Sequence, residues 1–199
     1  MSKSLQVGVT GGIGAGKSLI CKVFALLGAP VYNADSRAKS IMTTDGILID
    51  AIRKEFGSLS FSEDGSLNTK YLSEHVFNDQ TKLELLNSLV HPRVAADYQA
   101  WVAAHNESDY TIKEAALLFE SGSYRQLDVV ILVTAPQQLR IERVLKRDPY
   151  RTREQVEQIM SKQMNRQAAE KLANYLIHND ERQLILPQVL SLHKQFSNK

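Results

Sequence analysis

Apolar and polar positions alternate along Leu5-Gln6-Val7-Gly8-Val9 and then give way to a glycine-rich run, the pattern of a strand entering a turn. From Ser18 to Leu27 the apolar residues recur at helical spacing and stop at Gly28, a helix-ending signal. Pro30-Val31-Tyr32 predicts a short second strand, and Asn33 to Met42 a turn and helix. The pattern changes from Thr43 to about Asn106. Ile47, Ile49, Ile52 and Phe56 keep helical spacing, turn signals fall at Phe56-Gly57 and Asp64-Gly65, and His91-Pro92 punctuates the stretch. Strand character returns at Tyr110-Thr111-Ile112 and again over Ala115 to Phe119. Val129-Val130-Ile131-Leu132-Val133 is a continuous β-branched and apolar run, expected of a strand buried on both faces. Gln137 to Lys146 predicts a helix, Arg147 to about Lys171 a polar and charged helical segment, Tyr175-Leu176-Ile177 a last strand and Arg182 to Phe196 a closing helix. Strands alternating with helices predict an α/β fold around a parallel sheet. The expected organisation is one domain over 1–199, with a helical insertion at about 43–106.

Composition narrows the function. Lys and Arg total 24 against 22 Asp and Glu, a net charge of +2, and aromatic residues make up 7%. That balance gives neither the basic imbalance nor the stacking platform of a nucleic-acid binder. No stretch approaches the roughly 20 apolar residues of a membrane helix. Met1-Ser2-Lys3-Ser4 runs straight into strand-like sequence, not a signal-peptide core. The single cysteine, Cys21, allows no internal disulfide and fits a reducing compartment, so a cytoplasmic enzyme is expected. One turn into a helix, Cys21 reads as small core filler.

The chemistry begins at Gly11-Gly12-Ile13-Gly14-Ala15-Gly16-Lys17-Ser18, which fits G-x-x-x-x-G-K-[ST] in full, with a strand before it and a helix after it. Glycines let successive N–H groups turn inward without Cβ clashes. With the helix N-terminus they make a concave anion site. Lys17 can reach the β- and γ-phosphates of a nucleotide, and Ser18 can ligate the magnesium ion that bridges them. The loop does not by itself separate a kinase from a GTPase or a motor ATPase.

Two further features bear on that choice. Asn33-Ala34-Asp35 follows the second strand, and the carboxyl ends of parallel strands line the ligand crevice. Asp35 is expected to face the phosphates from the neighbouring strand and take the proton of an attacking hydroxyl; spacing alone allows a helix N-cap equally well. Arg140, Arg143 and Arg147 share one helical face, which suits a lid over about 140–171 that neutralises a transferring phosphoryl group. The same spacing suits a solvated charged face.

The chain resembles the dephospho-coenzyme A kinase family. The likeness starts at Val9–Ser18 and continues through Asn33-Ala34-Asp35, Ala38-Lys39, Phe56-Gly57, Asp64-Gly65, Val76-Phe77 and His91-Pro92. It extends over Leu117-Leu118-Phe119-Glu120, Arg143, Arg147-Asp148, Thr152-Arg153-Glu154, Gln163 and Ile177-His178-Asn179. The resemblance implies transfer of the ATP γ-phosphate to the ribose 3′-hydroxyl of dephospho-coenzyme A, giving coenzyme A and ADP. It also implies a three-layer P-loop NTPase-type fold with five parallel strands, a helical substrate domain and a lid. Asp35 takes the position of the catalytic carboxylate, Lys17 of the loop lysine, Arg147 of the lid arginine, and Arg143 of its helper. Asn179 falls in the segment that resembles the adenine-binding turn. Thr10, Lys39, His91 and Glu120 take acceptor-side positions, and ATP and Mg2+ are the implied cosubstrate and ion.

Some positions depart from the family pattern. Asn33 stands where Asp is frequent, Lys39 where Arg is common, and Glu114 and Ala116 where Asp and Pro are usual. Pro149-Tyr150 lengthens the lid junction by about one residue. Another small-molecule or nucleotide kinase would share the loop and lid, but not the insertion and the Asn33-Ala34-Asp35 turn. A switch or motor ATPase would want an acid at the end of an apolar strand. Val129–Val133 ends instead in Thr134-Ala135-Pro136.

Overall fold

The computed structural model describes residues 4–76 and 79–197, so Phe77 of the Val76-Phe77 match lies outside the described residues. In chain order the elements are β1 (Leu5–Thr10), α1 (Lys17–Leu26), β2 (Val31–Asn33), α2 (Ala34–Thr44), α3 (Gly46–Phe56), α4 (Thr69–Val76) and α5 (Gln80–Ala104). There follow β3 (Tyr110–Glu114), β4 (Val129–Thr134), α6 (Gln137–Arg147), α7 (Arg153–Ser161), α8 (Arg166–Leu172), β5 (Tyr175–His178) and α9 (Ile185–Ser197). They divide into an α/β unit, the chain through Asn33 together with that from His105 on, and a helical unit, Ala34–Ala104.

The α/β unit is built on five parallel strands in the order β2-β3-β1-β4-β5. One face presents Val7, Val9, Ile112, Ile131, Val133 and Ile177 to Ile20 and Phe24 of α1 and to Val189 and Phe196 of α9. Each such buried side chain contributes about 1.5–3 kcal/mol relative to exposure. The alternate residues Val130 and Leu132 point the other way and meet Phe119 and Ala169 of α8. A strand covered on both faces has no polar side, which is why β4 reads as an unbroken apolar run. The layers are helix, sheet, helix, as expected. Because every strand runs the same way, Thr10, Asn33, Glu114, Thr134 and His178 all end on one edge of the sheet.

Two expectations about this unit fail for identifiable reasons. Ala115 to Phe119 is not a strand: β3 stops at Glu114 and turns follow. That segment is apolar because Leu118 and Phe119 are buried, not because it is extended. Nor is β2 the neighbour of β1, since β3 lies between them with Asn33 paired to Glu114 and Val9 paired to the same residue from the other side.

The helical unit has its own core of Ile41, Leu48, Ile52, Phe56, Phe61, Leu72 and Val90. Asp45 caps α3 by accepting the Leu48 N–H (3.1 Å) and receives Arg93 Nε of α5 (2.6 Å). Arg37 of α2 forks onto Asp97 of α5, Nε to Oδ2 at 2.9 Å. His91-Pro92 does not break the segment, because Pro92 sits inside the continuous α5. A proline there deprives the Ser88 carbonyl of its helical donor. Both residues are exposed, so water can take the place of that donor.

Candidate active site

The loop from Gly11 to Gly16 joins the end of β1 to α1, and its shape is set by what presses on it. Gly14 and Gly16 have φ of +78° and +94°. A Cβ at Gly14 would stand 2.4 Å from the Arg140 carbonyl oxygen, and one at Gly16 2.2 Å from Asn179 Nδ2. Only glycine satisfies both the dihedral and the approach. Three side chains from outside the loop then hold its peptides. Arg140 Nε donates to the Ile13 carbonyl (2.9 Å), the Ile13 N–H donates to Gln163 Oε1 (2.9 Å), and Asn179 Nδ2 donates to the Ala15 carbonyl (2.8 Å). Lys17 Nζ folds back over the loop and donates to the Gly11 carbonyl (2.7 Å). A cationic ammonium above a ring of backbone dipoles at a helix N-terminus is a polyphosphate site.

Ser18, the first turn of α1, donates its hydroxyl to Glu114 Oε1 at 2.6 Å, and Asn33 Nδ2 donates to Glu114 Oε2 at 2.8 Å. Glu114 is only 6% exposed. Here is the strand-end acid that the sequence lacks after Val129–Val133; it stands on β3, the strand directly beside β1. Two of the departures from the family pattern, Asn33 and Glu114, thus form one hydrogen-bonded pair. Sequence reasoning missed Glu114 as a site residue because Lys113-Glu114 falls as a polar interruption between two segments that both read as strand. The usable signal was an acid ending a strand-like triplet.

The arginine face of α6 is not a uniform solvated stripe. Arg140 lies on the loop, and burial first, then the Arg166 charge, lowers the pKa of its guanidinium below the usual arginine range. Arg143 donates to the Asn179 carbonyl (3.0 Å) and to Glu181 (3.0 Å). Arg147 points outward and grips the adjacent Asp148 through Nε (3.0 Å) and Nη2 (2.8 Å). Its side chain is 63% exposed. That hydrogen-bonded carboxylate raises the Arg147 pKa and, reciprocally, holds Asp148 below the ordinary aspartate range. Arg151 shares the same carboxylate (3.3 Å).

Of the remaining predicted positions in this unit, Asn179 is buried at the exit of β5, and its N–H donates to the Thr134 carbonyl (2.8 Å). Thr10 is buried at the end of β1. Glu120 accepts the Met164 N–H (2.7 Å) and lines a cavity of about 320 Å³ beside Gly11 and Gly12, together with Thr10, Thr134, Arg140 and Gln163. Cys21 is core, as read: burial, reinforced by the Glu114 charge, pushes its thiol far above the normal range. In the helical unit, Asp35 is exposed in the first turn of α2, inside the helix and not at its cap. A carboxylate suits that end of the helix dipole. Lys39 lies one turn further along α2. His91 lies in mid-α5, and partial burial lowers the pKa of its imidazole.

The model of one family, described as dephospho-CoA kinase, matches residues 5–184. The chain belongs to the dephospho-CoA kinase family. The dephospho-CoA kinase of Bacteroides fragilis is 33% identical over 192 residues, 95% of this chain and 91% of that one. That of Chlorobium chlorochromatii is 39% identical over 182 residues, 88% and 85% of the two chains. Among solved structures, the crystal structure of TT1252 from Thermus thermophilus superposes with a TM-score of 0.85 at 27% identity, covering 98% of each chain. Dephospho-CoA kinase from Campylobacter jejuni shares the fold, with a TM-score of 0.72 at 23% identity over 97% of each chain. Membership carries the activity that defines the family, ATP-dependent phosphorylation of dephospho-CoA in coenzyme A biosynthesis. It also ends the choice between kinase and switch ATPase that the loop alone left open. Among the described residues, no helix is long and apolar enough to cross a membrane.

Proposed function

We propose that the chain transfers the ATP γ-phosphate to the ribose 3′-hydroxyl of dephospho-coenzyme A, with Asp35, Lys17 and Arg147 as the catalytic residues. The observation that carries the nucleotide half is the loop with Lys17 folded over it and Glu114 on Ser18. The loop from Gly12 to Ser18 and the Lys17 ammonium hold the phosphate chain, Arg143 assists Arg147 there, and Asn179 holds the adenine end. Asp35 takes the acceptor proton. Arg147 leaves Asp148 for the phosphoryl group, exchanging one anionic partner for another of higher charge. Thr10, Lys39, His91 and Glu120 bind the acceptor, the segment at about 43–106 serves as the acceptor-binding insertion, and that at about 140–171 as the lid.

Magnesium fits this site. Ser18 Oγ and the buried Glu114 carboxylate are hard oxygen donors side by side, the ligand type the ion prefers. When bound, it neutralises charge on the β- and γ-phosphates. No group of three or more His, Cys, Asp or Glu side chains able to hold a metal occurs among the described residues. The ion would therefore rest on these two residues and on the nucleotide itself. The lone, unpaired cysteine supports a cytoplasmic setting.

The test is ADP release with ATP and magnesium across a panel of acceptors. Turnover with dephospho-coenzyme A and none with nucleoside monophosphates or shikimate is expected. Acceptor-independent hydrolysis as the sole activity would remove the transfer reading.

A further inference from the structure

Ile13 is held through both of the peptide groups that flank it. Its carbonyl accepts from Arg140 Nε and its N–H donates to Gln163 Oε1, both at 2.9 Å. Gln163 lies between α7 and α8, 150 residues away in the chain. The same junction is pinned at its next residue, because the Met164 N–H donates to Glu120 Oε1 at 2.7 Å. Glu120 in turn sits in the turns that follow β3. So the α7–α8 junction is a post fixed at one end to the sheet exit and at the other to the phosphate loop. Ile13 packs partly buried against Ile141, Val144 and Val156 of α6 and α7, so its side chain is anchored on the same elements as its peptide.

We propose that Gln163 is a positioning residue for the phosphate loop. By engaging the Ile13 N–H it sets the orientation of that peptide, and hence of the Gly14, Ala15 and Gly16 peptides that follow. The loop is then preformed before nucleotide arrives. Its ordering entropy is paid on folding and not on binding. A glutamine suits the task. Its neutral amide oxygen accepts the N–H without placing a negative charge beside the phosphates, as a glutamate would. The inference rests on the loop being the nucleotide site and not on which acceptor is used.

The test compares the full-length enzyme with Gln163→Met, which keeps the length of the side chain but loses the acceptor, and with Gln163→Glu, which restores it. The first readout is hydrogen exchange at the Ile13 amide in nucleotide-free protein. Protection should fall in Gln163→Met and return in Gln163→Glu. The second is ADP affinity by titration without acceptor, together with KM and kcat in turnover. Losing one neutral hydrogen bond predicts a roughly two- to tenfold weaker ADP affinity and a matching rise in KM for ATP. The kcat and the KM for dephospho-coenzyme A should stay within about twofold. Unchanged Ile13 protection in Gln163→Met would overturn the proposal, as would lost protection with unchanged ADP affinity. A fall in melting temperature with equal losses for both substrates would make Gln163 a structural residue only. The ADP titration needs no acceptor, so it stands even if dephospho-coenzyme A proves not to be turned over.

Discussion

Glu114→Gln separates a metal-site carboxylate from a scaffold residue. The native carboxylate receives two donors, Ser18 Oγ at 2.6 Å and Asn33 Nδ2 at 2.8 Å, and is almost fully buried. Glutamine keeps one acceptor oxygen, enough for the Asn33 amide, and turns its own N–H2 toward Ser18, whose hydroxyl oxygen can accept. The geometry survives and the charge is lost. A hydrogen bond to a charged group is worth about 1.5–3 kcal/mol. Losing one such contact to the ion corresponds to about ten- to hundredfold weaker magnesium activation. Metal-free ADP binding should move the other way or not at all, because a buried negative charge beside the phosphates has been removed. The assay is ADP release as a function of magnesium at saturating ATP and dephospho-coenzyme A, with ADP titration in chelator as the control. An unchanged magnesium half-saturation would refute the reasoning. So would metal-free ADP affinity falling as much as turnover, which would make Glu114 a support for the loop and nothing more.

Asp35→Asn is expected to lower kcat by about 10²–10⁴-fold, the range for loss of a general base, while ADP affinity stays within threefold. A kcat within threefold of the parent would take Asp35 out of catalysis. Arg147→Ala should lower kcat more than it raises the KM for dephospho-coenzyme A; the reverse split, read from initial rates, would make it a binding residue. The Cys21 thiol is pushed up by burial and by the Glu114 charge, so the folded protein keeps its proton where the unfolded chain loses it. Stability from this group is therefore complete below the ordinary thiol pKa of about 8.5 and declines above it. Native protein at pH 9 should resist iodoacetamide and react only once denatured; labelling of the native protein at the rate of a free thiol would contradict this.

Much of the sheet was legible because parallel strands buried on both faces read as short apolar, β-branched runs bounded by turn signals. Val129–Val133 and Val7-Gly8-Val9 fall on β4 and β1, and the helix starting at the loop falls within a residue of α1. The same rule misled at Ala115–Phe119, where side chains are apolar because they pack under the sheet, with no extended backbone behind them. Pro92 misled for the opposite reason. A strong local breaker is tolerated on the exposed side of a 25-residue helix that Tyr98, Val90 and the Arg93–Asp45 pair hold in place. Local propensity is a small term beside packing.

The site was legible where its chemistry is contiguous and hidden where it is assembled from strand ends. Gly11–Ser18 announces itself because eight successive residues carry the function. Glu114 does not, because its meaning comes from ending a strand that lies between β1, which leads into the Ser18 loop, and β2, which ends at Asn33. Asn33 and Glu114 look independent in the chain, 81 residues apart, yet they are one decision in the structure. An acid at 33 would face an acid at 114 across a hydrogen-bonding distance in a buried setting, where like charges raise a pKa or demand a cation between them. The amide of Asn33 removes that demand. It donates to Glu114 Oε2 at 2.8 Å while the Ser18 hydroxyl donates to Oε1 at 2.6 Å, so uncharged donors from two neighbouring elements orient both oxygens of the one buried acid.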